Sequence, residues 1–231
     1  MKKDFKEGAK AATPIILGYI PVGIAYGMMA KATGLTFFKA LSFSLFVYTG
    51  AGQMAAVTML AQNAAYVTIV FTVFILNLRH IIMSTCITCI MEKMEKTSLP
   101  IRLLLSFGIT DEVFAMSMTD KKINKLTPAF FAGLSLFSYL SWNVGSALGI
   151  LFSSILPSIV SKSLGVSLYA MFIGLLVPNT KKSIRLLCVV IMTMVVNWVL
   201  NQFLSSSLSI LISTLGCALI GMCFISKEDL Q

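Results

Sequence analysis

The run ALSFSLFVYTGAGQMAAVTMLAQNAAYVTIVFTVFILNL, residues 40–78, holds 39 residues without one charge. Arg79 and His80 then interrupt it, and Ile81 to Met91 continues uncharged. A bilayer span takes about 20 apolar residues, so residues 40–78 fit two passes. An ionised side chain at mid-membrane costs at least roughly 2.5–3.5 kcal/mol on insertion scales, so a cation at position 79 needs a polar group to receive it. His80 is the only histidine among the 231 residues.

The rest of the chain repeats the pattern. It is 57% hydrophobic and 12% charged, with a mean hydropathy of +0.89, against roughly 25% charged residues in soluble domains. Further uncharged windows cover 11–30, 126–161, 163–180 and 186–226. Counting two passes for 186–226 and one marginal pass near 103–119, the sequence predicts a single all-α polytopic membrane domain, residues 1–231, with seven or eight membrane segments. The N-terminal Met1-Lys2-Lys3-Asp4 resembles a signal n-region, but the adjoining apolar segment is too long for an h-region and contains Pro14 and Pro21. That segment is expected to stay in the mature protein.

The formal charge of +9 sits in short loops, around Lys2–Lys10, Lys93–Arg102, Lys121–Lys125 and Lys181–Arg185. This is the positive-inside pattern, and it argues against nucleic acid as a partner. Taking Lys181–Arg185 as cytoplasmic puts the Lys121 loop and the C-terminus inside, with Pro157–Lys162 and Ser205–Ser207 outside. Because the 92–102 loop is equally basic, either the 103–119 segment is a re-entrant element, the reading preferred, or the charge rule fails there. Five cysteines lie in apolar segments. Cys86 and Cys89 have CxxC spacing, but without a second pair they read as inert thiols rather than a metal or redox site, and no cofactor or metal is expected.

Two segments look broken. Thr13–Met28 contains Pro14, Gly18, Pro21, Gly23 and Gly27, and Phe46–Gln53 contains Gly50, Gly52 and Gln53. Proline removes a backbone donor, and freed backbone survives in a membrane where a neighbour, water or ligand satisfies it. Discontinuous helices of this kind build transporter sites at the midplane. The pairs Gly23/Gly27 and Gly145/Gly149 read instead as close helix packing. A loose echo of Tyr48–Gln53 in Tyr139–Gly145, and of Phe74–His80 in Leu175–Lys182, suggests a repeat.

Asp111 and Glu112, flanked by Leu103–Ile109 and Val113–Met118, are the plausible carboxylate partners for Arg79. Desolvation favours the neutral form of a carboxyl group and a nearby cation favours the ionised one. Asp111, Glu112 and His80, whose imidazole titrates near neutrality, are therefore candidates for ion or proton coupling. A structural ion pair fixing two helices, or charges at the membrane interface, are the plainer alternatives.

Glu7-Gly8, Pro14 leading to Pro21-Val-Gly23, Gly50-Ala-Gly52-Gln53, Asn77-Leu-Arg79-His80 and Thr110-Asp111-Glu112 occur in this order. Together they resemble the large subunit of the AzlC-type (azaleucine-resistance) branched-chain amino acid exporters. After about Leu126 the resemblance thins to hydropathy and Trp142-Asn143. It implies a multi-pass protein of the bacterial plasma membrane that exports hydrophobic amino acids, driven by the proton gradient. It also implies a small AzlD-type membrane subunit as partner.

A zwitterionic substrate needs donors for its carboxylate, acceptors for its ammonium and an apolar pocket. The candidate substrate-binding residues are Pro21, Gly23, Gly50, Gly52, Gln53, Asn77 and Arg79. The carboxylate has two possible receivers, a broken helix's N-terminus or Arg79 itself. An intramembrane enzyme is disfavoured, because the one histidine directly follows Arg79, HExxH is missing, and the two acids are adjacent. A non-transporting scaffold or assembly subunit is the alternative function.

Overall fold

The computed structural model describes residues 2–91, 97–119, 126–155, 173, 177, 183–204 and 206–224. Among these the regular structure is all helical. The elements are α1 (Lys2–Ala11), α2 (Thr13–Ala32), α3 (Phe37–Val47), α4 (Gly50–Ala61), α5 (Tyr66–Asn77), α6 (Arg79–Ile90), α7 (Leu99–Phe107), α8 (Asp111–Thr119), α9 (Pro128–Phe152), α10 (Ile184–Leu200) and α11 (Ser206–Phe224). The basic loops at 92–96 and 120–125, the stretch 157–162, the 163–180 window as a segment, Lys181 and Lys182 and the C-terminus lie outside the described residues, as does most of the repeat partner at 175–182.

Among the described residues, three segments are long and apolar enough to cross a membrane: Thr13–Ala32, Tyr66–Ile90 (α5 running into α6) and Pro128–Phe152. Others come in halves. At 1.5 Å per residue, a helix of 9 to 12 residues, the lengths of α3, α4, α7 and α8, rises roughly 14–18 Å, about half of a ~30 Å hydrocarbon core. Joining α3 to α4 and α7 to α8 gives seven apolar segments among the described residues. The chain is thus a multi-pass, all-α membrane protein. Many large apolar side chains point outward, among them Val67, Val70, Phe71, Trp198 and Phe203, as lipid contact demands.

The scaffold is α2 laid on α9, continued by α1 on the first part of α9. Glycines allow the approach. A Cβ at Gly23 would sit 2.8 Å from the Trp142 carbonyl oxygen, and one at Gly145 2.6 Å from that of Ile20. Gly27 faces the Ser146 carbonyl, Gly149 that of Ile24, Gly8 that of Phe130 and Gly133 that of Phe5, all closer still. This is small-residue packing of membrane helices, as the spacing of Gly23/Gly27 and Gly145/Gly149 predicts.

The expected break in the first segment is not there: α2 runs unbroken from Thr13 to Ala32, with Pro14 in its first turn and Pro21 inside. Proline is accommodated at a helix start because the donor it lacks has no partner there anyway. The second break is real and falls at Tyr48-Thr49, just before Gly50. Tyr48 adopts the left-handed conformation, φ 38° and ψ 52°. Such a residue persists only where its surroundings hold it. Here the Tyr139 ring packs edge-on at 4.9 Å and Phe107 at 5.9 Å. Tyr139 itself is interior to the continuous α9, so it does not repeat the local structure of Tyr48.

Candidate functional site

Two half-helices begin at one cavity. Its walls include Tyr19 of α2, Tyr48 and Thr49 of the α3–α4 break, Gly50 and Ala51 of α4, His80 of α6, Thr110, Asp111 and Glu112 at the start of α8, and Trp142 of α9. The void measures about 370 Å³ counting the space open at its mouth. Its inner part has room for about one water molecule.

The two helix starts are finished differently. Thr110 caps α8 in the usual way, its hydroxyl accepting the Val113 N–H at 3.3 Å. Asp111 and Glu112 then occupy the first turn, where the helix dipole favours anions. Thr49 stands at the equivalent place in α4, but its hydroxyl turns away and donates to Asn77 Oδ1 at 2.8 Å. No side chain caps α4. Among the described residues the Gly50 and Ala51 amides find no protein acceptor, and both residues line the cavity. By contrast the end of α3 is looked after, since the Tyr139 hydroxyl donates to the Leu45 carbonyl at 3.0 Å. The α3–α4 break thus has a side-chain donor on one of its last carbonyls and no side-chain cap on its donor side.

The carboxylates separate by partner. Arg79 Nη2 lies 2.8 Å from Asp111 Oδ2, so the cation in the apolar run pairs with Asp111. Glu112 is 4% exposed and has no cation within ion-pair distance among the described residues. Its Oε2 accepts a short hydrogen bond from the Tyr19 hydroxyl, which also meets Thr110 Oγ1 at 2.7 Å. His80 lines the cavity, with Nδ1 3.2 Å from the Asn77 carbonyl.

Gln53 sits one turn into α4, fully buried, its Oε1 accepting the Trp142 indole N–H at 3.0 Å. It fastens α4 to α9 and does not line the cavity. Asn77 touches the site through Thr49. Gly52 is closed off by the Thr49 side chain, 2.7 Å from where a Cβ would stand. Gly23 is sealed against α9, and Pro21 is not among the cavity's lining. Of the ten candidate residues, Gly50, His80, Asp111 and Glu112 line the cavity, and Asn77, Arg79 and Gln53 hold elements that do.

Tyr19, Tyr48, Thr49, Thr110 and Trp142 were not singled out as site residues by sequence reasoning. The Tyr48 hydroxyl is buried and makes no hydrogen bond of good geometry. Trp142 presents its ring to Tyr19 edge-on at 5.4 Å and stacks on Tyr26 at 6.2 Å. The available signal was a tyrosine beside a glycine-rich break and a tryptophan inside an apolar helix. Neither is specific without the fold. No cluster of metal-ligating side chains occurs among the described residues.

Comparison with known proteins agrees with this architecture. The AzlC protein family model matches residues 14–156. An uncharacterized membrane protein of Archaeoglobus fulgidus is 37% identical over 179 residues, 77% of this chain and 76% of that protein. The inner membrane protein YgaZ of Escherichia coli is 30% identical over 192 residues, 80% of this chain and 76% of its own length. The branched-chain amino acid transport protein AzlC of Bacillus subtilis is 26% identical over 153 residues, 65% of this chain and 58% of its own. No solved structure matches. The matched region runs from the start of α2 through the end of α9 and so contains the whole cavity. The chain is a member of the AzlC family of membrane proteins.

Proposed function

We propose that this protein is the large subunit of a two-component exporter of branched-chain or related hydrophobic amino acids, coupled to protons. The observation that carries the proposal is that the uncapped N-terminus of α4 and Asp111 line one cavity. Free amides at a helix start, aided by its dipole, suit a carboxylate, and the unpartnered Tyr48 hydroxyl adds a donor beside them. Asp111 suits an ammonium. Between them the Tyr19, Tyr48 and Trp142 rings offer an apolar wall. A zwitterion with an aliphatic side chain meets all three requirements.

Glu112 is the proposed proton carrier. A buried carboxyl group without a cation changes its net charge when it takes a proton, and Tyr19 can serve both forms, because a hydroxyl donates to a carboxylate and accepts from a carboxylic acid. The name of the Bacillus subtilis relative supports the substrate class. The small partner subunit is proposed from the family resemblance, and the apolar outer surfaces of α5 and α10 are available to it.

The deciding experiment loads cells or vesicles with labelled leucine, isoleucine, valine and methionine and follows efflux with and without a co-expressed small subunit. Efflux that requires this chain and responds to the proton gradient is expected. Equal efflux from cells lacking the chain overturns the proposal.

A further inference from the structure

Arg79 and Asp111 are unequal partners. Asp111 lines the cavity, whereas Arg79 does not and reaches Asp111 from α6. The pair is 37% and 26% exposed, while Glu112 and Tyr19 lie deeper. The pair therefore stands at the more open end of the site. Arg79 Nε is buried without a hydrogen-bond partner, so the side-on pairing through Nε and Nη2, in which a guanidinium grips a carboxylate with two bonds, is not made.

The cavity offers an anion two uncapped amides and a free hydroxyl, none of them involving Arg79. It offers a cation the Asp111 carboxylate, which a tethered guanidinium already occupies. An incoming ammonium group competes with that guanidinium for the charge on Asp111. We propose that Arg79 is an intramolecular stand-in for the substrate's ammonium: it holds Asp111 in the empty carrier, tying α6 to α8, and substrate binding displaces it. This rests on the transport reading above and deepens it. The exchange keeps Asp111 compensated both with and without cargo, avoiding the large cost of a bare charge in a low-dielectric site. It also makes release of α6 from α8 conditional on a bound ammonium, so an amino acid opens the site and the corresponding oxo acid does not.

The test measures binding of L-leucine and of 4-methyl-2-oxopentanoate, which lacks the ammonium, by calorimetry to the purified full-length chain, alone and co-purified with a co-expressed small subunit. Arg79→Gln and Asp111→Asn are compared with the unaltered protein. In Arg79→Gln, leucine no longer competes with a tethered cation and binds roughly fivefold tighter, the value of a partly exposed ion pair. The oxo acid meets an uncompensated Asp111 and binds more weakly. Opposite shifts of the two ligands support the exchange. If both weaken together, Arg79 holds the carboxylate itself and the proposal is wrong. If neither changes, the ion pair is only a helix tie and the proposal is equally wrong.

Should Arg79→Gln fail to fold, Asp111→Asn decides: leucine must weaken and the oxo acid strengthen, because Arg79 is then left free beside the cavity. Unchanged leucine affinity in Asp111→Asn overturns the proposal. An unaltered protein that binds neither leucine, isoleucine, valine nor methionine removes the transport reading as well, an outcome distinct from any shift between variants.

Discussion

Trp142 of α9 donates its indole N–H to the amide oxygen of Gln53 in α4 over 3.0 Å, and both side chains are buried. This one bond ties the second half of the α3–α4 break to the glycine-packed scaffold. Trp142 also lies 3.2 Å from where a Cβ on Gly50 would stand, so the same ring sets how the first turn of α4 meets the cavity.

Trp142→Phe keeps an aromatic ring but leaves Gln53 Oε1 without its donor. An unsatisfied buried polar group costs about 1–3 kcal/mol. The variant is expected to unfold at lower temperature in detergent than the unaltered protein and to transport more slowly at equal membrane abundance. Identical melting and transport would show that the bond positions nothing.

The glycine seam makes a second expectation. Gly27→Ala or Gly149→Ala pushes a methyl group into the backbone of the facing helix, where overpacking costs about 1–3 kcal/mol. Gly216→Ala in α11 meets nothing within 4 Å. Folded yield, read by size-exclusion chromatography of solubilised protein, should fall for the first two and hold for the third. A fall of the same size in all three would mean that helix packing at the seam is not the cause.

Much of this was written in the sequence. Uncharged windows give the membrane class because burial in lipid filters charge directly, residue by residue. The glycine pairs reveal their packing role because a spacing of four places them on one helix face. The acidic partner of Arg79 was legible because few carboxylates lie in apolar surroundings. The choice of Asp111 over Glu112 was not, since adjacent residues on a helix start point in different directions. Proline and glycine between Thr13 and Met28 suggested a break, yet α2 is continuous, because the same glycines that look like weak points are where α9 packs. Least legible was the capping difference between Thr49 and Thr110. Both are threonines at a helix start, and only the position of Asn77, 28 residues further along the chain, turns one hydroxyl away.

Tyr48→Phe separates binding from folding. The hydroxyl is buried without a good partner, so its removal leaves the ring packing against Tyr139 and Phe107 intact and should not lower the melting temperature. If the hydroxyl donates to the substrate carboxylate, a hydrogen bond to a charged group worth about 1.5–3 kcal/mol is lost, and leucine affinity drops by an order of magnitude or more. Unchanged affinity removes Tyr48 from the site.

Glu112→Gln addresses coupling. Glutamine keeps the shape and still accepts from Tyr19, but it carries no titratable proton. Neighbouring groups that could titrate or carry charge are Asp111 on the same helix, Arg79 and His80 on α6, Tyr19 on α2 and Tyr48 at the α3–α4 break, and all remain in the variant. With Glu112 as carrier, export by the unaltered protein falls when an ionophore collapses the pH gradient across loaded vesicles. The Gln variant should exchange leucine at a rate that no longer depends on that gradient. Tyr19→Phe, which removes the hydroxyl but not the carboxyl group, should keep the gradient dependence while displacing the pH at which transport is half-maximal. A Gln variant whose efflux still tracks the gradient would transfer the coupling role to Asp111 or His80, the other two titratable candidates in the cavity wall.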